Sequence, residues 1–497
     1  MRSIVEAVFH YAEVQPDRLC LADDTHAVDY RTYRKKICQF ATFFQSLNIT
    51  AGDNVVIEAS QRIEYLAIEL ALQLIGAVFV PVEHNCAEEK IKSFANRAEA
   101  VLLVTNRLIH VEGLPSMLFD DVCRKAEVLE SFTPKEFPEG DTVCEILFST
   151  GTTGLEKGVV LTHDNDVALA ENAIYGVDLK SDNVELIFSP FNHSHGLRRY
   201  YANMLKGAAV IMQQSAMDMK RMYTHMEQYH VNAMDIVPSA LRVILQLSGD
   251  MLGNYNEQLR YVQLGAAPMR KEDREKLKRL LPNVRLFDLY GSTESGITCV
   301  YEFNCGEEKV NCIGHPTKNT EIFIVDENRK PIKSSAENPG LLASRGRMNM
   351  LGYWKDDVET AKAMADGVVY SNDIAYFDED EDIILLGRKG DVMNVGGKKV
   401  SPLEIENAAN KITGVVDSGC IAVKDKNYGE VPWLFVEMLP GAGFDAKIIR
   451  DALFTALEPY KVPQCIVQID RIPRTYKGSL QRAKLREMQR RDAVEKE

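Results

Sequence analysis

The chain has 497 residues, 45% hydrophobic and 26% charged, a balance that suits a soluble globular protein of roughly two to four domains. Its net charge of −14, with no compensating basic block, argues against a nucleic-acid surface. Ten cysteines without a Cys-x-x-Cys pair argue against a disulfide framework or a zinc ribbon.

In chain order, "MRSIVEAVFHYAEVQPDR" places acids where a signal peptide needs an apolar run, so a cytoplasmic protein is expected. The most apolar window, Tyr65 to Val82, holds Glu69 and Gln73 and ends at Pro81 and Val82. It predicts a core helix followed by a strand rather than a membrane span, and no membrane insertion. Short β-branched runs ("NVVIEAS", "AVFVPV", "AVLLVT", "AAVIMQ", "VRLFDLY") alternate with amphipathic stretches, the pattern of a mostly parallel α/β fold with more than one sheet. After about residue 318 the chain turns to short strands with Asp/Asn/Gly turns, predicting a small β-rich layer or barrel on the α/β body. The glycine- and charge-rich "GRKGDVMNVGG" predicts a boundary between a large domain over 1–388 and a small α+β domain over 389–497. The ending "RAKLREMQRRDAVEKE" interleaves both charges and reads as a solvated helical tail.

Phosphate chemistry is suggested by "FSTGTTGLEKGVV", Phe148 to Val160, which follows an apolar run. Glycine lets the backbone approach and wrap a phosphate with its N–H groups. It is not a Walker A loop, because Lys157 precedes Gly158 instead of following a glycine and preceding Ser or Thr. Cys299, Cys305, Cys312 and His315 could in principle bind zinc, but their spacing matches no standard site.

Several motifs in one order extend this reading. "STGTTGLEKG", "LGAAPM", "FDLYGSTESG", "YSNDIAYFDED", "GRKGD" and "NVGGKKVSPLEIE" together resemble the adenylate-forming superfamily of acyl-CoA synthetases, peptide-synthetase adenylation domains and luciferases. The resemblance covers essentially the whole chain. It implies a large N-terminal domain of stacked α/β sheets with a β-rich subdomain, then a small mobile C-terminal domain hinged near Gly390. It also implies an ATP- and Mg²⁺-dependent acid–thiol ligase acting on a small carboxylic acid. The thiol would be coenzyme A or the phosphopantetheine of an acyl carrier protein.

Carried over residue by residue, Ser149, Thr150, Gly151, Thr152, Thr153, Gly154 and Lys157 would hold the β- and γ-phosphates, where departing pyrophosphate needs charge dispersal. Gly265, Ala266, Ala267, Asp288, Tyr290 and Gly291 would form the adenine site, Tyr290 stacking on the purine. Thr293 would contact the α-phosphate and Glu294 would bind Mg²⁺, which favours one or two carboxylates beside phosphate oxygens. Asp373 would accept from the ribose hydroxyls, Arg388 would reach the ribose or a phosphate, and Gly397 would leave room for a pantetheine arm. Lys398 and Lys399 are open between contact with a phosphate of coenzyme A or an acidic carrier protein and a solvated turn. "SPFNHSHGL" resembles the segment lining the acyl pocket, with His193 as the aligned histidine, while His195 is open between a pocket and a structural role. Arg198 and Arg199 could hold the second carboxylate of a diacid, or stand as surface charges.

Four departures from the family pattern stand out: Glu156 for proline, Asn372 for glycine, Gly390 for the usual pivot aspartate or lysine, and Ser479 where the last motif has its lysine. In "PRTYKGSLQRAKLRE", Lys477 lies two residues before that position. Three readings stay open: Lys477 substitutes, adenylation is slow or otherwise assisted, or the chain is a nucleotide-binding relative.

Overall fold

The computed structural model describes residues 1–131, 134–150, 156–265, 267, 269–474 and 479–494. Among these, one sheet runs in the order Gly352–Tyr353, Glu156–Thr162, Val143–Thr150, Val78–Val82, Asn54–Glu58, Leu102–Thr105, Ser116–Leu118. Strands Asn54–Glu58 and Val78–Val82 are buried at every residue, as expected of parallel strands covered on both faces. The helix Ile63–Leu74 is also buried throughout, including Glu64, Glu69 and Gln73, which fits the core reading of that apolar window. No helix among the described residues is long and apolar enough to cross a membrane.

The elements used below are β1 (Val143–Thr150), β2 (Glu156–Thr162), β3 (Val184–Ile187), α1 (Ser194–Lys206), β4 (Ala209–Met212), β5 (Ala233–Ile236), β6 (Tyr261–Gly265), β7 (Arg285–Ser292) and β8 (Gly296–Glu302). In a second, longer sheet, β7, β6, β5, β3, β4 and Leu19–Ala22 are parallel neighbours in that order. From β8 onward the same sheet becomes antiparallel and continues through Cys312–Pro316, Ile383–Arg388, Val368–Phe377, Gly340–Arg345 and Glu321–Val325. The β-rich segment after residue 318 is therefore an extension of the parallel sheet rather than a separate barrel. Cys312 pairs in register with Ile384, and this bond row carries the sheet across.

Helix α1 ends where Gly207 adopts φ +69 and its N–H reaches the Asn203 and Met204 carbonyls, the usual left-handed stop. The helix His163–Val177 starts in a capping box, Thr162 and Asn165 each accepting the other's backbone N–H. Its first residue, His163, is 1% exposed, and neither ring nitrogen has a hydrogen-bond partner among the described residues. Burial pushes this imidazole down to about 4. Its folded value lies below its unfolded one, so the unfolded chain binds the extra proton as pH falls from about 6.5 to about 4. Stability should fall across that window by roughly 3 kcal/mol on this account alone. Denaturation midpoints of His163→Leu, measured from pH 7 to pH 4, should show a visibly shallower slope than wild type.

Beyond Arg388, Gly390 takes φ +92 with open space where a side chain would be. The C-terminal residues build their own sheet from Met393–Val395, Lys398–Val400, Val415–Asp425, Gly429–Met438 and Cys465–Gln468. A separate core of Met393, Ile405, Cys420, Leu434 and Leu453 lies beneath it. Arg270 of the large body reaches Asp417 of this unit at 2.8 Å, and Arg474 grips the same carboxylate at 2.7 and 2.8 Å.

Candidate active site

The glycine-rich stretch joins β1 and β2, which pair antiparallel with Ser149 opposite Lys157 and Thr150 opposite Glu156. Gly151, Thr152, Thr153 and Gly154 lie outside the described residues, as do Ala266 and Lys477. Gly158 is required by packing: a Cβ there would stand 2.9 Å from Ile146 and 3.3 Å from Trp354. Glu156, the residue in place of proline, is neutralised by Lys90 at 2.6 Å, so its charge does not stand bare beside the loop.

Lys157 is folded against its own chain. Its ammonium pairs with the Glu359 carboxylate and lies 4.9 Å from the centre of the Tyr353 ring. Lys157 and Lys362 together hold the Glu359 carboxyl down to about 2. The Tyr353 hydroxyl donates to Glu294 Oε1 at 2.9 Å, and burial and the Glu294 charge push that phenol well above its ordinary value. Lys157, Tyr353 and Glu294 thus form one chain of contacts between the loop lysine and the candidate metal carboxylate. Among the described residues, Glu294 Oε2 accepts no hydrogen bond, which leaves a hard oxygen donor of the kind magnesium takes.

A second constellation gathers at the antiparallel junction. The Tyr290 hydroxyl donates to Asp373 Oδ2, and Asp373 pairs in register with Arg388, whose Nε is 3.8 Å from Asp373 Oδ1. Burial pushes the Asp373 carboxyl up, against the opposing effect of the Tyr290 hydrogen bond. The strand Val368–Phe377 runs through Asn372, which has no positive φ, so glycine is not needed there. Gly291 is needed: a Cβ would lie 1.8 Å from the Gly296 carbonyl oxygen across the hairpin. Asp288 is turned to Arg274, which also pairs with Glu308 at 2.9 Å. Thr293 follows β7 and is half-buried beside Glu294, and Ala267 is half-buried just beyond β6.

Gly397 sits in the turn between Met393–Val395 and Lys398–Val400 at φ +87, and a Cβ there would have no neighbour within 4 Å. Lys398 rests 4.2 Å from the centre of the Tyr460 ring, while Lys399 is exposed. Of the last motif, Arg474 and Leu480 form an antiparallel bridge, and Arg482 is held by Glu406 at 2.6 Å.

His193 caps α1, with Asn192 Nδ2 3.4 Å from its Nε2. His195 has a stronger partner, Asp235 Oδ1 at 2.8 Å from its Nε2. Arg198 and Arg199 overturn the expectation of a diacid clamp or a surface charge. Both are fully buried and already committed, Arg198 to Glu145 at 2.6 Å and Asp166 at 3.0 Å, Arg199 to Glu185 at 2.7 Å. Desolvation forces each guanidinium to be met by a carboxylate inside the protein, leaving none to offer a substrate. The cysteine–histidine set does not converge either: Cys299 and Cys312 are buried, Cys305 is exposed, and His315 pairs with Asp382 at 3.1 Å. Two surface clefts lie away from this chemistry, one by Asp23, His26 and Arg221, the other by Met1, Glu171 and Lys318.

The AMP-binding enzyme model matches residues 8–354, and the model of the AMP-binding enzyme C-terminal domain matches residues 404–479. The chain belongs to the AMP-binding enzyme family. Within this family it is 25% identical to a 2-succinylbenzoate–CoA ligase of Bacillus mycoides (strain KBAB4), over 98% of this chain and 99% of that protein. It is 27% identical to a feruloyl-CoA synthase of Amycolatopsis sp, over 96% of each. Among solved structures, ATP-bound MatB from Rhodopseudomonas palustris superposes with a TM-score of 0.87 at 21% identity, over 98% of both chains. The Bacillus subtilis o-succinylbenzoate CoA synthetase with its acyl-adenylate gives 0.82 at 20% identity, over 96% of this chain and 97% of that one. These structures share the AMP-binding fold of a large N-terminal and a small C-terminal domain.

Sequence motifs had not singled out Glu359, Tyr353 or Asp235. A signal existed for Asp235, an acid in the otherwise apolar "AMDIV". Glu359 and Tyr353 carried none, because their partners lie about 200 and 60 residues away.

Proposed function

We propose that this AMP-binding enzyme is an ATP-dependent acid–thiol ligase that activates a small carboxylic acid as its acyl-adenylate and passes the acyl group to coenzyme A. The observation that carries the reading is the Lys157–Tyr353–Glu294 chain, which gathers the phosphate-loop lysine and a free carboxylate oxygen at one place. The acid's carboxylate attacks the α-phosphorus, and the bond to pyrophosphate breaks. Glu294 would hold Mg²⁺, whose charge offsets that of the phosphates. Lys157, released from Glu359, would meet the departing pyrophosphate, and Thr293 the α-phosphate. Tyr290 and Asp373 would hold the nucleoside, with Arg388 beside the ribose. In the second step the thiolate sulfur bonds to the acyl carbon and AMP leaves with the bridging oxygen. Nothing covalent comes from the protein, so catalysis rests on position and charge.

Between the two steps, residues 389–497 would turn about Gly390, whose open surroundings and left-handed backbone allow large changes in angle. The Arg270–Asp417 contact would break in that turn, and Gly397 would approach the thiol.

Glu359 competes with phosphate for Lys157. Glu359→Gln is therefore expected to tighten ATP binding about two- to fivefold, the worth of a partly exposed ion pair. Titration calorimetry with Mg-ATP reads this directly.

The test of function is pyrophosphate release and thioester formation with Mg-ATP, coenzyme A and a panel of aliphatic and aromatic acids. Acid-dependent release with an acyl-CoA product supports the ligase. A thioester formed only on a phosphopantetheinylated carrier protein moves the acceptor to that partner. Ser479 in the lysine position favours a second reading, a nucleotide-binding relative, which predicts ATP binding with no pyrophosphate from any acid.

A further inference from the structure

In an open α/β sheet, ligands bind outside the carboxyl ends of the strands, at the point where successive connections leave in opposite directions. That point lies here between β3 and β5: the chain goes from β3 to β4 on one side, then returns to place β5 on the other. Four polar side chains meet there. Asp235, near the end of β5, is fully buried and accepts from Ser189 Oγ at 2.8 Å, just past β3, and from Gln263 Nε2 at 2.7 Å on β6. Its third partner is His195 Nε2 at 2.8 Å, on the first turn of α1.

The cluster is built to present one ring edge. Ser189, Asp235 and Gln263 are buried, whereas the His195 side chain remains 18% exposed. Its Nδ1–Cε1 edge faces Gly265, where a Cβ would lie 2.7 Å from Cε1 and 3.0 Å from Nδ1. Any side chain at 265 would collide with that edge. Among the described residues Nδ1 has no hydrogen-bond partner, and the buried Gln263 Oε1, on the other donor to Asp235, has none either. The neighbouring Arg199 shows the contrast, enclosed by Glu185, Tyr261 and the Ala173 carbonyl.

We infer that His195, oriented by Asp235, is a specificity-determining contact for a hydroxyl group carried by the acid at the end remote from its reacting carboxylate. This rests on the ligase reading above. With Nε2–H bonded to Asp235, Nδ1 accepts when the ring is neutral and donates when it is protonated, and a hydroxyl can answer either. The remote end of the acid is compatible with the spacing along the strands. Gly265 pairs with Leu289, and Thr293 lies four residues further on, up to about 13 Å at about 3.3 Å per residue. An acid lacking the hydroxyl would leave buried polar atoms unpaired, and sites of this kind reject such analogues by large factors. Asp235 acts through His195 and is a positioning residue.

The experiment compares kcat/KM for pyrophosphate release within matched pairs: 4-hydroxybenzoate and benzoate, 3-(4-hydroxyphenyl)propanoate and 3-phenylpropanoate, 6-hydroxyhexanoate and hexanoate. Wild type is expected to favour the hydroxylated member of at least one pair by about 10²-fold or more. His195→Phe and His195→Gln, each checked for ATP-induced thermal stabilisation, should alter that ratio differently: Phe brings it below about tenfold, while Gln retains part of it. Asp235→Asn should lower the ratio by raising KM for the hydroxylated acid with KM for its unsubstituted partner unchanged, which a merely structural residue would not do. Turnover without hydroxyl preference in any pair, or a preference that survives His195→Phe, overturns the inference and spares the ligase. Silence of wild type with every acid removes the ligase reading and this inference with it.

Discussion

Arg198→Met is expected to destabilise the large N-terminal body by about 3–5 kcal/mol, the cost of leaving buried charge unpaired. Arg198 is the counter-charge for Glu145 and Asp166, and all three are fully buried. Tyr201 bridges Glu145, at 3.0 Å, and Glu69 in the same pocket. Burial, and then the Glu145 charge, push the Glu69 and Asp166 carboxyls far above the usual carboxylate range. Without the guanidinium these acids must take up protons or be exposed. Chemical denaturation followed by tyrosine fluorescence should therefore show an earlier transition, with the loss largest at neutral pH and smaller near pH 5. Arg198→Met combined with Glu145→Gln should recover part of the loss, because the two changes share one interaction. A single variant within about 1 kcal/mol of wild type would mean that the cluster is already neutral without Arg198.

Lys477→Ala is expected to lower pyrophosphate release by about 10²–10³, the effect of losing one preorganised donor at a transition state. Adenylation brings two anions together, and the family's last motif meets them with a lysine where this chain has Ser479. Side chains two residues apart in extended chain share a face about 6.5–7 Å apart, a gap a lysine can partly bridge. Adding Ser479→Lys to Lys477→Ala should then restore release. Acyl-CoA formation from pre-made acyl-adenylate should change little in Lys477→Ala, since that half-reaction does not gather the same charge. If Lys477→Ala matches wild type while Ser479→Lys speeds it, the displaced lysine is not the catalyst and the first step runs without that cation.

Much of this architecture was legible in the chain because its signals are local. A glycine-rich turn after an apolar run needs only its own residues to declare itself, and so does the alternation of β-branched runs with amphipathic stretches. The Gly158 and Gly291 positions have clear physical reasons, since a Cβ at either would strike a neighbouring strand. The family motifs likewise carried Tyr290, Asp373 and Glu294 as separate expectations, each on its own segment.

What those residues touch was settled by tertiary structure. Tyr290 meets Asp373 because the sheet turns antiparallel at β7–β8 and carries later strands back beside it. Arg198 and Arg199, next to two histidines, were open between a diacid clamp and surface charges, yet α1 buries them against carboxylates from β1, β3 and the helix beginning at His163. Helical spacing reveals which face a residue shares, but not what that face is pressed against. Nor does sequence tell that Asp235 faces His195 across forty residues, or that Glu359 holds Lys157 across two hundred. Long-range charge pairs depend on how sheets stack, and desolvation decides which charges survive there. The chain by itself determined the order of motifs and the chemistry they imply, while packing decided which charges serve the protein and which remain for a substrate.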